Sequence, residues 1–288
     1  MSISAGQAGR GPEEKTAEIG GSVSDASMKV IRPAPAGNTA TGVLKLAALG
    51  FMLVDHLGAV VFPNVPELRI IGRIAFPIYA WCLIVGFHYT RSVPKYLGRI
   101  LVTGLLCQPL YAYVMNHMGN TGNRLWDVFG VKPNIFITLF LGLAALWGIR
   151  EKKFYSQIWA PVAAIALATV LKVDYGWKGV LFIMLLYGAR GSRSAIAVMM
   201  ISYFLFWGSF YAQTSLVLGR PINLDHLPQW LALPLKSFLR LETYELVSLA
   251  YILLPFRKDV RLPAWVSYGI YPAHLLIVLL ARVIFGKM

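Results

Sequence analysis

The sequence is short of charge, and of acid above all. Asp and Glu number 13 against 27 Lys and Arg in 288 residues, and only 14% of positions are charged. Soluble domains carry about 25% charged residues, so a soluble enzyme with a polar surface is excluded. Cysteine is scarce as well. Cys82 and Cys107 both lie within apolar runs, which argues against a disulfide or metal pair and for two small packing residues. No zinc-ligand spacing, Gly-rich phosphate loop or G-x-S-x-G elbow occurs, and no metal is expected. Residues 1–40 hold no apolar h-region and so do not read as a secretory signal. Rich in Gly, Ala, Ser and Pro, they read as a disordered tail.

What the chain has instead is apolar length. Hydrophobic residues make up 57% of it, and the mean hydropathy is +0.60. Stretches of about 17 to 22 apolar residues recur, enough to cross ~30 Å of hydrocarbon as helix. They are continuous rather than alternating, which disfavours a β-barrel. The expected fold is an all-α, polytopic transmembrane helix bundle of about nine to ten spans over residues 41–288, behind a cytoplasmic tail. Spans are expected at 43–62, 70–89, 96–117, 133–149, 156–172, 175–189, 194–216, 243–256 and 264–285. The segment 227–242 reads as a short or re-entrant helix.

The net charge of +14 fits membrane topology better than nucleic-acid binding, which is not expected. Arg91/Lys95/Arg99, Arg150/Lys152/Lys153, Arg190/Arg193 and Arg257/Lys258/Arg261 mark connections that would all be cytoplasmic if the N-terminus is. A full crossing by 227–242 would put the last cluster outside, so nine crossings are preferred and ten are the alternative. No internal repeat is visible, and the repeat architecture of many transporters gains no support.

Polar residues inside such spans cost ~2.5–3.5 kcal/mol each on insertion scales and usually mark function. In MLVDHLGAVVF, Asp55 and His56 lie past the middle of the first span. Met52, Asp55, His56 and Ala59 share one helix face, which should turn inward. A carboxylate beside an imidazole orients it and raises its basicity, as a general base requires. The plainer alternative is a pair that ties helices together. Arg69 and Arg73 are one turn apart in the second span. Arg69 can snorkel to the interface, whereas Arg73 needs a partner, Asp55 or Asp174, and either stabilises a fold or an oxyanion. Gly72 permits close helix approach, and Pro77 is expected to kink the span. In WVSYGIYPAHLLIVLL, Ser267, Tyr271 and His274 form one polar stripe, with His274 near mid-membrane. Asp174 stands at the start of the sixth span. Asn134, Thr138 and Gln108 read as caps and interhelical hydrogen bonds, and His88, His117 and His226 as solvated.

Taken in order, LKLAALGFMLVDHLGAV, LRIIGRIAFPIYAWCLIVGFHYTRSVPKYLGRI, NIFITLFLGL, VDYGWKGVL and SYGIYPAHLLI resemble the TraX family of conjugative pilus proteins. These stretches cover most of residues 43–280, while 192–240 has no clear counterpart. The resemblance implies acetyl transfer from acetyl-CoA, a cosubstrate, to the amino terminus of a pilin subunit, in the bacterial inner membrane. It is also similar to a broader group of transmembrane acyltransferases with an intramembrane histidine. Carried over by position, it assigns Asp55 and His56 the leading roles, with Arg73, Asp174 and His274 in support. Arg91, Lys95 and Arg99 are expected to receive the CoA phosphates. Rival readings are another pilin maturation such as head-to-tail cyclisation, a proton-coupled transporter, and a scaffold. Membrane lipids are implied partners in every case; the oligomeric state stays open.

Overall fold

Backbone polar groups in hydrocarbon must be satisfied within the chain, and long apolar segments do this as helices. The structure, a computed structural model, describes residues 33–115, 124–129, 132–151, 153–209, 215–217, 220–238, 241–256 and 258–285. Residues 1–32, His117, Lys152 and Arg257 lie outside the described residues. The helices are α1 Thr41–Val60, α2 Pro66–Gly72, α3 Ala75–Tyr89, α4 Val93–Val114, α5 Arg124–Phe129 and α6 Ile135–Glu151. They continue with α7 Phe154–Val170, α8 Gly176–Ala189, α9 Arg193–Ser209, α10 Gln229–Phe238, α11 Ser248–Leu253 and α12 Ala264–Ile284. A 3-10 segment, Leu241–Val247, leads into α11. Eight of the expected spans fall largely on α-helices, whereas 243–256 falls on the 3-10 segment and the six-residue α11.

Four of these units are long and apolar enough to cross a membrane: Thr41–Val60, Pro66–Tyr89, Val93–Val114 and Trp265–Ile284. The ten residues of α10 rise only about 15 Å, half of a ~30 Å hydrocarbon layer. By itself α10 is too short to cross, and residues 239–240 of the expected segment lie outside the described residues. Two features were not anticipated. The polar loop after α4 carries the short helix α5, and the end of the seventh expected span is an antiparallel hairpin. In it, β1 Ser215–Val217 pairs with β2 Arg220–Ile222, with Leu216 opposite Pro221.

The second span is divided. Pro77 has no N–H to offer the carbonyl of Arg73, four residues back, and its ring crowds that carbonyl. The helix accordingly stops at Gly72 and restarts at Ala75. Arg73 caps α2, its N–H reaching the carbonyls of Arg69 and Ile70. The expected kink is thus a break just ahead of the proline.

The core surrounds α3, whose Phe76, Ile78, Trp81, Ile84 and Phe87 are buried. Of the apolar window in Pro66–Tyr89, 78% is buried; for α12 the share is 22%. On α7, Phe154, Trp159 and Val170 face outward, as suits a lipid boundary. The order begins before α1. Trp81 Nε1 donates to the carbonyl of Asn38 at 2.7 Å, and Asn38 Nδ2 donates to the carbonyls of Tyr251 and Leu254. Residues 33–40, expected within the tail, are therefore part of the helical unit, which starts at Pro33.

Several polar residues serve the fold. Asn134 donates to the Gly104 carbonyl at 2.8 Å and to Gln108 Oε1 at 2.9 Å. Its own Oδ1 accepts from the Phe136 N–H, capping α6. Thr138 donates to the carbonyl of Asp174. Asp259 accepts from the N–H groups of Gly42 and Val43, an acid at the α1 N-terminus. The cysteines are buried and unpaired, as expected.

Candidate functional site

Asp55 and His56 are neighbours on α1, and neighbours on a helix do not face one another. The structure gives them different partners. Arg69 Nη1 donates to Asp55 Oδ2 at 2.6 Å, and Arg73 Nη2 approaches Asp55 Oδ1 at 3.3 Å. The expected orientation of His56 by the Asp55 carboxylate is corrected by this geometry: the carboxylate is clasped by two guanidinium groups. Arg69, expected at the interface, is the closer of the two. Gly72 makes the clasp possible, because a Cβ there would collide with the Cβ and Oδ1 of Asp55.

His56 meets the last helix instead. Its Nδ1 lies 2.9 Å from Nε2 of His274, and the rings stack with centroids 5.0 Å apart. Both residues are buried, at 7% and 2% exposure. Behind the pair, Nδ1 of His274 faces the carbonyls of Ile270 and Tyr271 on its own helix without an in-line hydrogen bond. The ring of Tyr111 lies 6.3 Å from that of His56, and the ring of Tyr271 stands edge-on to His274 at 4.8 Å.

Two cavities lie near this centre, neither of them lined by the imidazoles themselves. The first, of about 280 Å³, has Lys45 one turn into α1, Arg99 on α4 and Ser267 at the start of α12. Met52 and Tyr271 line it one turn short of His56 and His274. The second, of about 310 Å³, is lined by Arg73, Lys132, Asp174, Tyr175, Lys178 and Glu245, among others. Arg73 joins it to Asp55. A left-handed turn shapes its wall: Tyr175 has φ of +60° and Gly176 of +57°. For Tyr175 that conformation costs roughly 1–2 kcal/mol. The turn stacks its ring on Phe76 at 4.0 Å and sets it under Arg73 at 5.6 Å. Burial pushes the Asp174 carboxyl up from its ordinary value, against the pull of Lys132 and Arg73.

His56, Asp55, Arg73, His274 and Asp174 are thus brought to one region. Arg99 lines the first cavity, whereas Arg91 and Lys95 are exposed outside its lining. Sequence reasoning missed Lys45, one turn into a helix where a lysine reads as an interfacial anchor. It also missed Glu245, a fully buried acid in a segment read simply as a span. A charge at such depth is itself a signal. Among the described residues no cluster of His, Cys, Asp and Glu could hold a metal ion.

Fold and site together define an integral membrane helix bundle with a buried ion-pair and histidine centre. The chain belongs to the TraX family: the match, to "TraX protein", runs over residues 40–282. It is similar to "Probable fimbrial assembly protein FimC, serogroup H1" of Dichelobacter nodosus, 29% identical over 159 residues, covering 53% of this chain and 63% of that protein. It is also similar to "Uncharacterized protein RP591" of Rickettsia prowazekii (strain Madrid E), 28% identical over 139 residues, covering 46% of this chain and 49% of that one. The chain spans about half to under two thirds of the length of these curated relatives. No solved structure matches it significantly.

Proposed function

We propose that this protein acts in pilus or fimbrial assembly as a membrane acetyltransferase, moving an acetyl group from cytosolic acetyl-CoA to the N-terminal amine of a pilin subunit. The observation that carries the reading is the buried imidazole pair, His56 Nδ1 to His274 Nε2 at 2.9 Å, with one cavity ending a helical turn away at Met52 and Tyr271 and a second lined by Arg73 of the adjoining ion pair. Family membership and the fimbrial relative supply the pilin context.

The roles follow from the partners. The neutral His56–His274 pair takes a proton from the pilin amine as the nitrogen attacks the thioester carbonyl carbon. The C–N bond forms, the C–S bond breaks, and the proton passes from imidazole to the departing sulfur, giving CoA thiol and an amide. His274 takes over the orienting role expected of Asp55. Asp55 positions Arg69 and Arg73 instead, and the Asp174 and Glu245 carboxylates in the second cavity attract the pilin terminus as an ammonium group, one of them taking its first proton to free the amine for attack. Arg91, Lys95 and Arg99 remain the proposed ligands of the CoA phosphates, on the face that the positive-inside rule makes cytoplasmic. A carboxylate held by two arginines is poorly suited to relaying protons, which disfavours the transporter reading.

The test is the intact mass of the cognate pilin from membranes with the wild-type protein, with none, and with a His56→Ala variant expressed to the same level. An acetyl increment is expected with the wild type alone. A loss of water would assign cyclisation instead, and an increment retained by His56→Ala would remove that residue from the mechanism.

A further inference from the structure

We propose that the cavity beginning at Lys45 and Arg99 is a channel for the linear acyl-thioester arm of the donor, and that the Tyr271 hydroxyl at its inner end donates a hydrogen bond to the thioester carbonyl oxygen. This rests on the acetyl-transfer reading and adds to it a binding site and a catalytic residue.

Charge distinguishes the two ends of the channel. Lys45 and Arg99 form a cationic rim suited to the phosphates of a carrier. Past the rim the walls are largely apolar, with Cys82, Leu83, Ile100 and Leu139 among them. Lys45 and Met52 lie seven residues apart on α1, so the channel runs about 10 Å along that helix. A volume of about 280 Å³ sits just under the usual ligand-cavity range of ~300–1,000 Å³, room for one slender chain.

At the inner end stands Tyr271, only 4% exposed. Phe136 holds its ring edge-on at 4.7 Å on one side, and His274 lies at 4.8 Å on the other. Its hydroxyl is enclosed and has no hydrogen-bond partner among the described residues, and the residue itself lines the cavity. Buried polar groups are normally satisfied, and an orphan beside a cavity calls for a ligand acceptor. A phenol, with an ordinary pKa of about 10, keeps its proton at neutral pH and can only gain by donating. A thioester carbonyl entering past Met52 fills that vacancy within one helical turn of the imidazoles. As the amine attacks, the carbonyl electron pair moves to oxygen and this hydrogen bond strengthens, which is the condition for rate enhancement. When the C–S bond breaks, the pair returns to carbon–oxygen and sulfur takes the proton held by imidazole. On α1 and α12 the lining of the channel ends at Met52 and Tyr271, and that end sets the limit on acyl length in this proposal.

The experiment uses the full chain in detergent micelles with purified pilin and acetyl-CoA. Tyr271→Phe keeps the ring and should lower kcat about 100-fold, the effect of losing one oxyanion donor, with KM for acetyl-CoA nearly unchanged. The double variant Lys45→Ala/Arg99→Ala should raise that KM at constant kcat. Met52→Ala should admit a longer acyl-CoA that the wild type rejects. Wild-type kcat in Tyr271→Phe, or a change in KM alone, overturns the role of the hydroxyl. Binding is read separately, as the thermal shift produced by the non-transferable thioether S-acetonyl-CoA. A shift in the wild type that is weakened by the Lys45/Arg99 double variant, with no acetylation of pilin, would sink the acceptor reading and keep the channel. No shift in the wild type overturns the channel.

Discussion

His56 on α1 and His274 on α12 bring their Nδ1 and Nε2 atoms to 2.9 Å, closing a seam between helices more than two hundred residues apart in sequence. Two neutral imidazoles at that separation share one N–H, so one ring donates and the other accepts. Two protonated rings would set donor against donor. A neutral pair therefore carries a single proton between the helices.

Loss of either ring should be as damaging as loss of both. His56→Ala and His274→Ala should each remove acetyl transfer, and the double variant should fall no further, because groups acting as one unit are not additive. Single-turnover acetylation of pilin by the three variants checks this. A double variant slower than either single one by the product of their effects would show independent roles.

Asp55→Asn should destabilise the bundle. The change leaves Arg69 and Arg73 without their shared anion in a largely buried setting, where stranding a charge costs about 3–5 kcal/mol. Adding Arg73→Met should restore part of the loss, since one fewer cation is left uncompensated. Thermal unfolding in detergent gives both numbers, and equal melting temperatures for Asp55→Asn and the wild type would contradict the clasp.

Gly72→Ala, a change of one methyl group, should disrupt the same clasp from the other side. The new Cβ would collide with Asp55, whose neighbours on α1 and α2 leave no slack. Activity should drop severely, with a lower melting temperature. Gly50→Ala on the same pair of helices meets nothing within contact distance and should be silent.

Asn134→Leu separates stability from chemistry. It removes a fully buried amide that bonds Gly104, Gln108 and the α6 N-terminus. Each stranded partner costs about 1–3 kcal/mol. Thermal stability should fall while acetyl transfer per folded molecule is kept.

Asp174 should leave a signature in the pH dependence of stability. Its folded-state pKa is raised by burial, so the native state holds this proton more tightly than the unfolded chain does. Its stabilising contribution is complete below the ordinary carboxylate pKa of about 3.9 and is lost as pH rises through the raised folded value. Between those limits the wild type should lose stability with rising pH relative to Asp174→Asn. Parallel curves for the two proteins would refute the shift.

The helices were legible because apolar length and loop charge are one-dimensional signals. Each of the segments that became α1, α3, α4, α6 to α9 and α12 could be marked from hydropathy, and α10 from the conflict between its length and the following basic cluster. The candidate residues were legible for a similar reason, since His56, Asp55, Arg73 and His274 stand out in hydrocarbon. Their pairing was not. Which ring faces which carboxylate depends on helix rotation and on the break before Pro77, and neither is written in local composition. The partners of Asn134 and Gln108 were likewise hidden, although both residues were read as structural. Asp259 reaching back to cap α1 joins residues 217 positions apart, beyond any periodicity argument.

The sparse packing of α12 has a further consequence. Only 22% of its apolar window is buried, so most of the rod that carries one of the two imidazoles is at least partly open to its surroundings. Its tilt answers to bilayer thickness as well as to the opposing helix. In a bilayer the surrounding lipid would then help to set the alignment of the two rings.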